Sequence, residues 1–469
     1  MKIVLKFKKK FLIMNNSQDK DRDDQDNNNK LNLIPQRFIE ATQKLNTVLL
    51  YASLVGIMTG FVGTSFRLTV TAILHQRQVL AVLLQNYPIL NYILAIAISG
   101  IMGYVAFWLM RRFAPDTGGS GIPQIEGFLD GVFSLHWQRV LPVKFFAGLL
   151  TLGSGMILGR EGPTIQIGGS VGKMVGDCFR GTKEDLRVLV AAGAGAGLAT
   201  AFNAPFAGII FVIEEMRPEF QHPISSLRSV TLACVMATLT TRLMVGQQPV
   251  MDITRFDIPQ LDSLWIFAIL GIFIGIIGYL FNLFLLRALN IFSSLRGLSY
   301  QFTGLYVGAI FGLLSLIYYP TTGGGDYTII WAFDQQISGD VLILVFCIRF
   351  ILTMISYGSG APGGIFAPML ALATIFSLGT AREFHSWFPQ LLPEPAVLAV
   401  AGMGALVAAT VRAPLTAIIL TVEMTGNYLL ILPLLITCLM ASMTAHKLGG
   451  KPIYSVLLER AIQKKSNQK

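Results

Sequence analysis

Gly159-Arg160-Glu161-Gly162-Pro163 places a carboxylate beside a guanidinium group between two apolar runs of the chain. An ionisable pair at membrane depth is costly and usually marks a functional site. Two glycines and a proline disfavour a continuous helix here, and proline is best tolerated in the first turn of a helix. We therefore predict a helix that begins near Pro163, with Glu161 at its N-terminus, where free N–H groups attract anions. The alternative is a glutamate that only caps this helix.

The pattern around Glu161 recurs about 205 residues later in the chain. Gly153–Pro163 aligns with Gly358–Pro368 through the shared pattern G-S-G-x-x-x-G-x-x-x-P. In this alignment Glu161 lies opposite Phe366. The second segment therefore repeats the predicted helix break but lacks its carboxylate.

A second pair of segments aligns in the same order. Ala192–Glu214 matches Ala401–Glu423 at an offset of 209, through A-G-x-G-A, a later Ala-Pro and a final glutamate. Two matches at nearly the same offset indicate two homologous halves. In transporters, paired segments broken by glycine and proline indicate the binding site. The repeat therefore favours a function for Glu161 over a capping role.

The composition is typical of a membrane protein. The 469 residues are 53% hydrophobic and only 13% charged, about half the charged share of an average soluble chain. Ile89–Met110, Leu264–Leu286 and Tyr428–Ala445 carry no formal charge, and a membrane-crossing helix needs roughly 20 such residues. Because the short alternating segments of a membrane barrel are missing from the sequence, we predict an all-α polytopic membrane protein.

Charge and composition divide the chain into four parts. Residues 1–45 are basic at the start and Asn/Asp-rich at 15–30, which predicts a disordered cytoplasmic tail. We predict the first membrane repeat at 46–245, the second at 246–450, and a cytoplasmic-facing helix and tail at 451–469. Much of the net charge of +10 lies at the two ends. It therefore favours cytoplasmic termini and does not indicate nucleic-acid binding.

The sequence gives no support for a metal site, a disulfide or a cofactor. The five histidines are dispersed, and no cysteine forms a C-x-x-C pair. We therefore expect no metal and no cofactor. Four cysteines are predicted to be small core residues: Cys178, Cys234, Cys347 and Cys438.

Two further stretches carry candidate site residues. Gly118–Gly127 is a glycine-rich turn before a helix, and its N–H groups with the Ser120 hydroxyl can hold a small anion. A simple helix start explains this stretch equally well. Glu214 and Glu215 end an apolar segment and point about 100° apart on a helix. One can pair with Arg217 or Arg228 while the other faces a polar path, although a charged cytoplasmic helix end is the alternative.

The chain resembles the CLC family of chloride channels and chloride/proton antiporters, over roughly Asn46 to Arg460. The resemblance implies a CLC-type fold of two inverted-topology repeats with tilted and broken helices. It also implies a homodimer with one anion pathway per subunit. Four motifs carry it in order: G-S-G-I-P at Gly119–Pro123, G-R-E-G-P at Gly159–Pro163, G-G-I-F-A-P at Gly363–Pro368 and G-K-P-I-Y at Gly450–Tyr454.

The resemblance implies the residues of a chloride site. Ser120 and Tyr454 would supply hydroxyl groups to a central chloride, and the backbone N–H groups of Ile365 and Phe366 would complete its site. N–H groups near Glu161 would form an outer site.

The resemblance also implies how the site is gated. Glu161, with Arg160 and Gly162 beside it, would be the gating glutamate, which occupies an anion site when charged and carries a proton when neutral. Glu215 would be the internal glutamate that delivers protons from the cytoplasm. One departure is Gln124, where the first motif often has glutamate.

These residues predict a transporter and not an enzyme: a chloride/proton exchanger in the lipid of a bacterial inner membrane. A passive chloride channel is the alternative, which Glu215 disfavours because passive members tend to lack an acid there. An intramembrane serine protease is the enzyme alternative, since Gly118–Gly121 fits G-x-S-G. It needs a histidine base near Ser120, and no histidine lies within a clean apolar helix. A purely structural protein would not need Glu161 beside an arginine at a helix break.

Overall fold

The computed structural model describes residues 23–216, 223–251, 253, 256, 259–334, 337–390 and 394–466. Of these, 23–45, 223–225 and 334 are described as backbone only. Contacts separate a unit that ends at Leu50 from a second unit, Tyr51–Lys469. The second unit contains the second predicted repeat and all of the first except residues 46–50.

The regular structure among the described residues of the two repeats is helical, with turns and loops between the helices. The first half contains α1 (Asp23–Leu83), α2 (Pro88–Phe113), α3 (Ile122–Leu129), α4 (Trp137–Gly153), α5 (Glu161–Cys178), α6 (Lys183–Phe202), α7 (Pro205–Glu214) and α8 (Pro223–Val245). The second half contains α9 (Leu264–Ser293), α10 (Gly297–Gln301), α11 (Thr303–Ile317), α12 (Asp326–Asp334), α13 (Gly339–Gly358), α14 (Phe366–Trp387), α15 (Pro395–Met403), α16 (Ala405–Val411), α17 (Pro414–Thr425), α18 (Ile431–Lys447) and α19 (Ile453–Ser466).

Several of these helices can cross a membrane. Among the described residues, six are long and apolar enough by length and composition. The three uncharged segments of the sequence lie within three of them, which confirms those predictions. The spans are Asn46–Leu83, Pro88–Phe113, Lys183–Phe202, Leu261–Ser293, Gly339–Gly358 and Tyr428–Lys447.

The helix boundaries confirm the predicted repeat. Helix α5 begins at Glu161 and α14 at Phe366, the two positions that align at the offset of 205. Helices α7 and α17 begin at Pro205 and Pro414, which align at the offset of 209. The same glycine and proline positions therefore break both halves into short helices.

Short helices α7 and α17 are joined by a reciprocal exchange of carboxylates. Glu214, at the end of α7, accepts hydrogen bonds from the backbone N–H groups of Leu415 (3.1 Å) and Thr416 (2.8 Å) at the start of α17. Glu423 in α17 accepts from the N–H groups of Phe206 (3.2 Å) and Ala207 (2.8 Å) at the start of α7. Each helix thus satisfies N–H groups that the other would leave without an intrahelical partner.

Close packing between helices depends on glycine. Gly168 of α5 and Gly193 of α6 face each other, and a Cβ on either would clash with the other's carbonyl oxygen. Gly103 of α2 and Gly304 of α11 make the same contact. Small residues allow helices in a membrane to approach this closely, and this packing holds the broken helices in place.

Two expectations differ from the structure. The first helix begins at Asp23, inside the segment predicted to be disordered. Cys178 and Cys347 are exposed, so the prediction of core cysteines is wrong for them and confirmed for the buried Cys234 and Cys438. An apolar run at an outer helix surface can face lipid, so it does not by itself place a cysteine inside.

Candidate functional site

The two halves meet where α5 and α14 begin. The N–H group of Gly159 donates to the Gly364 carbonyl (2.8 Å), and the N–H group of Gly364 donates to the Gly159 carbonyl (2.7 Å). A Cβ on Gly162 would lie 2.9 Å from both the Gly364 Cα and the Ser120 Cβ. Glycine at position 162 therefore lets three of the predicted motifs meet at one junction.

Glu161 is fully buried at this junction. Its Oε1 accepts a hydrogen bond from the Ala367 N–H group at 3.2 Å, and the Phe366 N–H group also bonds to it. Its Oε2 has no hydrogen-bond partner in the described part of the chain. The prediction that Glu161 begins a helix is confirmed. Its carboxylate, however, lies at the N-terminus of the helix from the other half, for which Ile365 is the N-cap residue.

Ser120 lies in the tight turn before α3 and is buried. Its Oγ accepts from the Ile122 N–H group at 3.3 Å, and it is hydrogen-bonded to Tyr357, which sequence reasoning missed. Gly121 has a φ of 89°, a left-handed conformation that favours glycine. No hydrogen bond joins Ser120 to a histidine among the described residues, and His222 lies outside them.

Tyr454 brings the C-terminal helix to the same place. Its ring stacks on Phe366 with centroids 6.1 Å apart. The residue is fully buried, and its hydroxyl has no hydrogen-bond partner among the described residues. The structure therefore groups Ser120, Glu161, Phe366 and Tyr454, as predicted, and leaves a buried hydroxyl donor beside the junction.

Two buried cations, which the sequence reasoning missed, hold equivalent loops. Lys144 Nζ donates to the carbonyls of Thr117 (2.9 Å) and Gly119 (2.7 Å), next to Ser120. Arg349 donates to carbonyls in the loop 320–323 of the second half. The two positions differ by 205 residues, the offset of the repeat. Neither forms an ion pair in the described part of the chain, so carbonyl and hydroxyl groups alone hold both side chains.

Arg160 does not pair with Glu161 in the described part of the chain. Its Nε donates to the Ala201 carbonyl at 3.1 Å, and its Nη1 forms an ion pair with Asp326 at 3.0 Å. The guanidinium group is thus turned away from the neighbouring carboxylate. Glu161 meets backbone N–H groups instead, which are the donors that an anion would also use.

The two adjacent glutamates lie in different environments, as predicted. Glu214 caps α17. Arg217, one of the two arginines predicted to pair with a glutamate here, lies outside the described residues, so the predicted ion pair stays a prediction. Glu215 and Glu126 of α3 line the same cavity of about 250 Å³. Sequence reasoning assigned no role to Glu126.

The comparison with known proteins identifies the family. A model of the voltage gated chloride channel family matches residues 102–446. The H(+)/Cl(-) exchange transporter ClcA of Vibrio parahaemolyticus is 46% identical over 431 residues, which cover 91% of this chain and 92% of that protein.

Solved structures show the same fold. That of a slow cyanobacterial Cl−/H+ antiporter superposes with a TM-score of 0.87 at 55% identity, over 89% of this chain and 99% of that one. That of a eukaryotic CLC transporter has a TM-score of 0.73 at 22% identity, over 88% and 74%. The chain therefore belongs to the voltage gated chloride channel (CLC) family, and it is an all-α integral membrane protein with two inverted-topology repeats of broken helices.

Proposed function

We propose that this protein is a secondary transporter that exchanges chloride for protons across a membrane, and not an enzyme. The observation that carries the proposal is the Glu161 carboxylate at the N-terminus of α14, where the N–H groups of Phe366 and Ala367 bond to it. A chloride ion needs the same donors. One buried site therefore serves either the tethered carboxylate or the free anion.

Exchange follows from this competition. A charged Glu161 occupies the N–H groups and excludes the anion. Once protonated, it loses its charge, and the site is free for chloride with the Ser120 and Tyr454 hydroxyls as further donors. The buried Tyr454 hydroxyl, which lacks a partner among the described residues, supports this role. Glu161 then carries a proton each time it leaves the site.

Protons reach Glu161 from Glu215 in this proposal. Glu215 and Glu126 border the same cavity, so two titratable carboxyl groups are available there to take up and pass on a proton. Gln124 does not line this cavity, and Glu126 supplies a carboxyl group there. The loss of charge at position 124 is therefore compatible with proton delivery.

The relatives support exchange over passive conduction. The Vibrio protein is named an exchange transporter, and the cyanobacterial structure is described as an antiporter. A passive chloride channel could use the same junction but would not need the Glu126–Glu215 pair. The pair therefore favours the exchanger.

We further propose that the protein is a homodimer in the lipid of a bacterial inner membrane, with both termini in the cytoplasm. Basic residues at the end of α19, Lys464 and Lys465, fit the cytoplasmic side. Chloride and protons are its substrates, and we propose no cofactor, metal or nucleic-acid partner. Cross-linking of the membrane-embedded protein at increasing dilution in lipid would test the dimer.

Purified protein in liposomes tests the exchange itself. A chloride gradient is imposed without a proton gradient, and potassium with valinomycin sets a voltage that opposes passive proton flow. We expect the external pH to change in the direction of uphill proton movement. Chloride flux without uphill proton movement would reject the exchanger and favour the channel.

A further inference from the structure

Arg67, Arg160 and Asp326 form a charged cluster beside the junction. Arg160 Nη1 lies 3.0 Å from Asp326 Oδ2, and only 11% of the Arg160 side chain is exposed. The half-buried guanidinium group of Arg67 lies within electrostatic reach of both partners. Arg160 is paired with Asp326 and Arg67 lies within electrostatic range of both, so the cluster contains two guanidinium groups and one carboxylate, an excess of one positive charge.

The cluster lies on the side of the junction opposite Ser120. Gly121, next to Ser120 in its loop, packs against Gln166 of α5. Gly325, just before Asp326, packs against Ala371 of α14 instead. Helices α5 and α14 begin at the junction and, in inverted repeats, run away from it in opposite directions. The loop before Asp326 is therefore the second-half counterpart of the Ser120 loop, and it borders the other mouth of the same pathway.

Hydrogen-bonding capacity remains unused within the cluster. Arg160 Nη2 and Asp326 Oδ1 are buried and have no hydrogen-bond partner in the described part of the chain. No hydrogen bond or ion pair of the Arg67 guanidinium group is found there either. Buried polar groups normally find a partner. Free donors on two cations are what a small anion would use.

We propose that Arg67 and Arg160 form a further anion-binding site at this mouth, in which the Asp326 carboxylate competes with a monovalent anion such as chloride. The inference rests on the proposed chloride pathway. Asp326 holds Arg160 when no anion is present, and an arriving anion takes its place on the two guanidinium groups. The net charge of the cluster then sets how readily the pathway takes up chloride from this side.

The test measures radioactive chloride uptake into liposomes against external chloride concentration, at zero voltage. The net charge of the cluster is +1 in the wild type, zero in Arg67→Gln and +2 in Asp326→Asn. It is again +1 in the double variant that combines Arg67→Gln with Asp326→Asn. We expect Arg67→Gln to raise the half-saturating chloride concentration and Asp326→Asn to lower it, each by roughly three- to tenfold, the size that one charge gives at close range beside water. The double variant should return to the wild-type value, and inert salt should reduce every shift.

Two controls separate charge from structure. Asp340→Asn removes a carboxylate from an exposed position at the start of α13 and should leave half-saturation unchanged. Arg67→Lys keeps the positive charge and should also leave the half-saturating chloride concentration unchanged. If Asp326→Asn does not fold, the comparison of Arg67→Lys with Arg67→Gln still tests the effect of charge.

Other results would overturn the site. Unchanged half-saturation in Arg67→Gln, or shifts of Arg67→Gln and Asp326→Asn in the same direction, would assign the cluster a structural role. This test measures chloride uptake alone and does not depend on proton movement. Failure of the exchange proposal would therefore appear in the pH assay and would leave this test valid.

Discussion

Gly159 and Gly364 exchange both of their backbone hydrogen bonds, at 2.8 and 2.7 Å, although they lie 205 residues apart in the chain. The pair joins equivalent positions of the two halves. It also sets the approach of α5 to α14, because a Cβ on either glycine would collide with the Glu161 carboxylate. The position of that carboxylate at the N-terminus of α14 is therefore fixed by backbone geometry contributed by both halves.

Replacing Gly364 with alanine should displace Glu161. The new Cβ would lie 2.5 Å from Glu161 Oε1, so the carboxylate must leave the N–H groups of α14 or the helices must separate. We expect fewer protons moved per chloride while chloride flux persists, measured by simultaneous pH and chloride recording in liposomes. Gly181→Ala, in the α5–α6 turn, is the matched glycine control. An unchanged proton-to-chloride ratio in Gly364→Ala would contradict this steric account.

Removing the carboxylate should separate chloride flux from proton movement. In Glu161→Ala the N–H groups of Phe366 and Ala367 stay free for chloride, and no side chain carries a proton at the junction. We expect chloride flux to continue and uphill proton transport to fall to background. Asp177→Ala, at the other end of α5, serves as a charge control and should retain coupling. Persistent coupling in Glu161→Ala would remove it as the gate.

Proton delivery should depend on the carboxyl pair next to the cavity. Glu215→Gln removes one of the two titratable carboxyl groups that line the cavity, so we expect proton flux to drop strongly while chloride flux continues. Glu126→Gln tests whether the partner shares the role, and it should give a smaller loss because Glu215 remains. Normal proton flux in Glu215→Gln would reject the internal-acid assignment.

The exchanged caps should contribute to stability and not to selectivity. Glu214→Ala leaves the N–H groups of Leu415 and Thr416 without their side-chain acceptor, and Glu423→Ala does the same at α7. Loss of a helix cap costs about 0.5–2 kcal/mol. We expect each variant to lower the thermal unfolding midpoint in detergent. The exposed Glu459→Ala is the control and should leave it unchanged. A midpoint equal to wild type in both cap variants would show that these bonds add no net stability.

Much of the architecture could be predicted from local signals. Glycine and proline disfavour helix interiors, so the starts at Glu161 and Phe366 followed from the repeat alone. The two-way alignment also placed Glu214 and Glu423 at equivalent positions. The alignment could not predict the hydrogen-bond partners of these two glutamates. Each bond joins helices about 200 residues apart, and no sequence spacing marks such a contact.

The missed residues share a physical reason. Lys144 and Arg349 are isolated basic residues within apolar stretches of their helices, and Glu126 and Asp326 look like ordinary helix-end acids when their neighbours are unknown. One signal was available: the offset of 205 that aligns Gly159 with Gly364 also aligns Lys144 with Arg349. Pairs of like charge at the repeat offset would have identified the two buried cations before the fold was known.

The exchange of carboxylates between α7 and α17 also bears on the origin of the chain. A single half on its own would have a glutamate at the end of its short helix and uncapped N–H groups at the start of the same helix, and the glutamate could not reach those groups. In a second copy with the opposite orientation, the glutamate would cap the N–H groups of the first, and the glutamate of the first would cap those of the second. The contact is therefore one that two antiparallel copies of a single half would make with each other, because each copy supplies what the other lacks.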